Sequence, residues 1–80
     1  MMTPSRFNQA LEALHWDTDV LARILGCDQS LTEAFALGLE EVPMKLGAWL
    51  EVLAQSHEAL AADMPTGLRG KRYIDQKGTH

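Results

Sequence analysis

The sequence predicts an all-α bundle of four helices followed by a flexible C-terminal tail. Three observations predict it. Apolar residues recur at i, i+3, i+4 and i+7 with no strand-like alternation, a capping or helix-starting residue stands ahead of each apolar run, and the few Gly and Pro residues fall between the runs as punctuation. Eighty residues accommodate one small domain, expected over 1–65, with a basic tail over 66–80.

Thr3-Pro4 opens the first helix, because threonine caps free amides and proline suits the first helical position. Phe7, Ala10, Leu11 and Leu14 then form one stripe, and the helix runs to about His15. Asp17 caps a short second helix with Val20, Leu21, Ile24 and Leu25 on its expected inner face, ended by Gly26 in the left-handed conformation. Asp28 caps the third, which runs to Leu37 and is closed by Gly38. Val42-Pro43 opens the fourth, free of breakers until Pro65, with Leu46, Trp49, Leu50, Leu53, His57 and Leu60 as its expected buried stripe. Ala48, Val52, Ala59 and Ala62 form a weaker stripe opposite, which leaves room for a homodimer.

Packing alone has to stabilise such a chain. The lone Cys27 has no disulfide partner and is expected to pack inward in the turn, and no Cys/His cluster has zinc spacing, so no metal or cofactor is expected. His15 and His57 read as a helix end and a packed side chain. No nucleophile, base and orienting acid assemble from these residues, so an enzyme is not expected. No apolar run approaches a membrane span and no secretion signal opens the sequence, which points to a cytoplasmic protein without membrane association.

The net charge of −4 is unevenly spread. Residues 1–66 carry three Lys/Arg against ten Asp/Glu, a balance of −7, while 67–80 carry Arg69, Lys71, Arg72 and Lys77 against Asp75, or +3.

The second helix, the Gly26 turn and the third helix have the spacing of a helix-turn-helix: Ala22 and Gly26 are four apart, the small side chain letting the helices cross while glycine makes the turn, and Leu21, Leu25, Cys27 and Phe35 are expected to fill the crossing. The stretch "WDTDVLARILGCDQSLTEAFALGLEEVPMKLGAWLEVLA" resembles the phage-repressor and Cro-like (Xre-type) helix-turn-helix family, over roughly residues 3–60. The resemblance implies that the third helix reads base edges in the major groove while the start of the second rests on phosphate. By position, Gln29, Ser30, Glu33 and Ala34 would face DNA, with Thr18 near the backbone. The tail cations Arg69, Lys71 and Arg72 would supply phosphate contacts.

This chain departs from the family's pattern where cations are usual, since no Lys or Arg occurs from Ile24 through Met44. Phosphate neutralisation supplies most nonspecific affinity for DNA, so an acidic body approaches a polyanion against repulsion. Thr32 stands where the family tends to place a β-branched apolar residue, and its hydroxyl needs a partner. Leu31, Leu37 and Leu39, edged by Glu33, Glu40 and Glu41, offer an apolar centre with a charged rim, the composition of a protein-binding surface. Periodicity leaves open whether these leucines are core or surface, and the acids read equally as an ordinary solvated face. The sequence thus supports two readings: a transcription-control protein of antiactivator type whose partner is a regulatory protein, or a small Cro-like repressor that binds DNA.

Overall fold

A computed structural model describes residues 1–73. Among them the chain forms α1 (Pro4–Leu14), α2 (Thr18–Leu25), α3 (Gln29–Leu37) and α4 (Met44–Leu60), followed by a 3₁₀ turn at Ala61–Asp63. The all-α class is as expected, and no helix among the described residues is long and apolar enough to cross a membrane. Of the tail expected over 66–80, residues 74–80, Lys77 among them, lie outside the described residues.

The helices start where the sequence places their caps. Thr3 Oγ1 accepts from the Arg6 amide at 3.1 Å, Asp17 from the Val20 amide at 2.8 Å and Asp28 from the Ser30 amide at 2.8 Å. The first three helices also end alike. His15, Gly26 and Gly38 all adopt the left-handed conformation, and the next amide in each case reaches back five residues: Trp16 to Leu11, Cys27 to Ala22 and Leu39 to Ala34, at 2.9–3.0 Å. These are Schellman closures, which satisfy carbonyls that a helix end otherwise leaves bare.

The core forms where α1 lies against both α3 and α4, and α2 packs mainly on α3. Phe7, Ala10, Leu11 and Leu14 are all buried, as the α1 stripe predicts, together with Leu21, Phe35, Val42, Leu50 and Ala54. Phe7 and Phe35 meet edge to face with centroids 5.9 Å apart. Asn8 fastens α1 to the end of α3 by donating to the Ala36 carbonyl at 2.9 Å, and Arg6 fastens α1 to α4 through Glu51 and Glu58.

Two expected inner faces are corrected. On α4 the buried line is Gly47, Leu50 and Ala54, with Leu46 and Leu53 half-buried; Trp49 lies at the margin against Trp16, and His57 and Leu60 are exposed. The reason is length: α4 has 17 residues against the 11 of α1, so its last turns run past the bundle with nothing to cover them. On α2 only Leu21 and Ala22 are buried, Val20 is half-buried, and Ile24 and Leu25 remain open to solvent. An eight-residue helix held mainly against one neighbour buries one narrow line, and Leu25 therefore does not fill the crossing as expected. Cys27 is half-buried in the turn.

Candidate functional site

Thr32 sits at the crossing of α2 and α3. This fully buried side chain lies at the centre of α3, with its hydroxyl 2.8 Å from the Thr18 carbonyl and 3.0 Å from that of Gln29. The polar group therefore has its partner, and it ties the first turn of α2 to α3. With Phe35 buried on the same side, the opposite face of α3 is turned outward.

All three leucines whose placement periodicity leaves open lie at the surface: Leu31 is 41% exposed, Leu37 72% and Leu39 76%. Glu33, Glu40 and Glu41 are exposed beside them in the chain. Leu37 is the last residue of α3, and Leu39 follows the left-handed Gly38, so both stand clear of the packed face. Exposed apolar surface extends further than the sequence suggests, because Ile24 and Leu25 in the last turn of α2 join Leu31 in flanking the Gly26 turn. Helical periodicity alone had assigned both to the core.

The structure also gathers Leu39, Glu40 and Glu41 into a groove of about 350 Å³ with Met2, Pro4 and Val42. Met2 and Pro4 carry no signal in the sequence as site residues, since only the fold brings the start of α1 beside the loop after α3. Leu31, Glu33 and Leu37 do not line this groove, so of the six expected partner-binding residues it gathers Leu39, Glu40 and Glu41 and leaves the other three exposed elsewhere on α3.

The residues expected to read DNA are differently engaged. Gln29 is exposed, but its side-chain amide nitrogen donates to Glu33 Oε1 at 3.1 Å and to Thr18 Oγ1 at 3.3 Å. Its amide nitrogen is thus engaged within the protein, and one of its partners is a carboxylate. Ser30 is exposed at the start of α3. The hydrogen bonds that Asp28 accepts from the Ser30 side chain and amide pull its carboxyl below the ordinary aspartate value, so a charged carboxylate sits at the helix end where an incoming phosphate would lie. Asp17 occupies the equivalent cap of α2, accepting from the Val20 amide.

The cations of the body are turned inward on its own acids. Arg23 pairs with Asp19 one turn earlier, and Arg6 with Glu51 and Glu58, whose hydrogen bonds raise the guanidinium well above its ordinary value and lower the Glu51 carboxyl. Lys45 makes no ion pair among the described residues. Arg69, Lys71 and Arg72 are exposed beyond the end of α4, at the other end of the chain from the α3 face. No group of three or more His, Cys, Asp or Glu among the described residues has metal-binding geometry. Comparison with protein-family models, with curated proteins and with solved structures finds no match to this chain.

Proposed function

We propose that this chain is a transcription-control protein that uses a helix-turn-helix scaffold to bind another regulatory protein, as an antiactivator or inhibitor of that type, through Leu31, Glu33, Leu37, Leu39, Glu40 and Glu41. The observation that carries the reading is that the outward face of α3 presents exposed leucine and carboxylate with no cation from Ile24 through Met44. A protein partner rewards the burial of such leucines at about 25 cal/mol per Å² of apolar area, whereas a phosphate backbone gains nothing from them and is repelled by the acids. The carboxylates at the starts of α2 and α3 and the Gln29–Glu33 contact favour the same side. The mechanism is occlusion: an acidic, apolar face covers a basic DNA-binding surface or the site where a regulator's own helix docks.

The test pairs the chain with regulators encoded nearby, by titration calorimetry and by a reporter for the regulator's promoter. Binding and inhibition are expected, and the triple change Leu31→Ser, Leu37→Ser, Leu39→Ser is expected to abolish both. An intact complex with the triple variant removes the reading.

A second reading keeps DNA as the partner, supported by the exposure of Gln29 and Ser30 at the start of α3 and by the free cations of the tail. It calls for sequence-selective binding of a duplex from the chain's own upstream region, lost on Gln29→Ala.

A further inference from the structure

The feature that the partner reading does not absorb is the overhang of α4 and the tail beyond it. The described residues span 59 × 27 × 17 Å, and the groove at Leu39, Glu40 and Glu41 lies near one end of α4 while the tail leaves from the other. Met44, the first residue of α4, shares a rim with Glu41 and Val42. The groove is apolar inside and acidic at its edge. The tail from Gly67 to Tyr73 is its complement, with exposed Leu68 and Tyr73 among Arg69, Lys71 and Arg72 and no acid. A turn shapes it, in which the Lys71 amide donates to the Leu68 carbonyl at 3.0 Å around a left-handed Gly70.

The Leu68–Tyr73 segment does not reach the groove of its own copy. The 17 residues of α4 span about 25 Å and the 3₁₀ turn about 6 Å more. Leu68 lies five residues beyond Asp63, at most about 17 Å of extended chain. The turn at Leu68–Lys71 takes up the slack that Arg72 and Tyr73 would need.

A second copy removes the problem. The outward face of α4 carries Ala48, Val52, Gln55 and Ala59, with Ala62 following in the 3₁₀ turn, all exposed and alternately four and three residues apart. Laid antiparallel on itself about Gln55, this stripe sets Ala48 opposite Ala62 and brings Val52 to the step between Glu58 and Ala59, small against small and large against small. The same register carries the tail of each copy to the Glu40–Glu41 edge of the other. We infer that the chain forms an antiparallel homodimer along α4, in which the Leu68–Tyr73 segment of each copy seats in the acid-rimmed groove beside Leu39 of the other. Lys45 lies one residue past that rim, and the two glutamates leave the edge net negative. The dimer is isologous and closed, with both tails placed by one twofold axis. It stands independently of the regulator reading, because it is measured with this chain alone; where both hold, a regulator competes with the tail for Leu39, Glu40 and Glu41.

Sedimentation equilibrium of the full chain at about 50 mM and about 500 mM salt reads the tail contact, which weakens as the Debye length shrinks. A dimer at low salt is expected, with a dissociation constant at least about ten-fold higher at high salt. Both Glu40→Lys with Glu41→Lys, and Arg69→Glu with Lys71→Glu and Arg72→Glu, are expected to weaken it to a similar degree, and combining the two sets restores it. Gln55→Cys in a Cys27→Ser background is expected to cross-link to itself under mild oxidation, since Gln55 lies on the axis. A chain that stays monomeric at low salt overturns the inference, as does a dimer that ignores both charge reversals or one in which Gln55→Cys fails to cross-link while remaining dimeric.

Discussion

His15 closes α1 with φ 59°, a conformation that L residues other than Asn and Asp adopt at a cost and that glycine adopts freely. The two later helix ends have glycine at the same point. His15→Gly is therefore expected to raise stability by about 0.5 kcal/mol, the relief of backbone strain exceeding glycine's extra entropy in the unfolded chain, as read by urea denaturation. Thr32 supports a different argument. The Thr18 and Gln29 carbonyls that it contacts also lie within helices, so Thr32→Val removes a hydrogen bond while leaving the volume filled. The change is expected to alter stability by no more than about 1 kcal/mol; a loss above about 2 kcal/mol would show that the tie to α2 holds the crossing. Glu51 gives the fold a pH dependence. Its carboxyl is lowered from 4.5 by hydrogen bonding to Arg6, so the pairing contributes stability at pH values above about 4.5 that is lost as pH falls through the lower folded value. Glu51→Gln is expected to flatten the acid limb of a thermal-unfolding profile and to leave its neutral region less stable than the parent.

At the scale of elements, Gly26 and Gly38 do the same work in different surroundings. Both have positive φ, but a Cβ at Gly26 meets open space while one at Gly38 comes within 3.2 Å of the Pro4 ring. Alanine at Gly26 is expected to cost about 1 kcal/mol from backbone conformation, and alanine at Gly38 more, since it also pushes on the start of α1. Equal losses in denaturation would remove the Pro4 contact as a constraint. The helix starts and ends were legible in the sequence because caps and left-handed closures are local, made within about five residues along the chain. The inner faces were legible only where the partner is continuous. On α1, flanked by α3 and α4, every stripe residue from Phe7 to Leu14 is buried; on α2 and the far half of α4, the same periodicity put Ile24, Leu25, His57 and Leu60 inside, where no neighbour reaches them.

For the whole molecule, the separation of an acidic body from a basic tail decides how it meets a polyanion. Arg6 and Arg23 are paired with their own carboxylates, which leaves Lys45 and the tail's Arg69, Lys71 and Arg72 as the cations available among the described residues. Any affinity for duplex DNA is therefore expected to be nonspecific, to fall with log salt at a slope no steeper than about −4.5, and to be almost entirely lost on truncation after Thr66, as measured by fluorescence anisotropy. A steeper slope, or selective binding that survives truncation, would return the α3 face to DNA.

Composition, charge order and capping residues by themselves determined the helical class, the number and limits of the helices and the absence of cations along α3, because each depends on neighbours in the chain. The exposure of Leu31, Leu37 and Leu39, the groove that Leu39, Glu40 and Glu41 share with Met2 and Pro4, and the contact of Gln29 with Thr18 across the helix crossing were decided only by the tertiary structure. Each depends on how far one helix extends past another, a distance that residue spacing within a single helix does not encode.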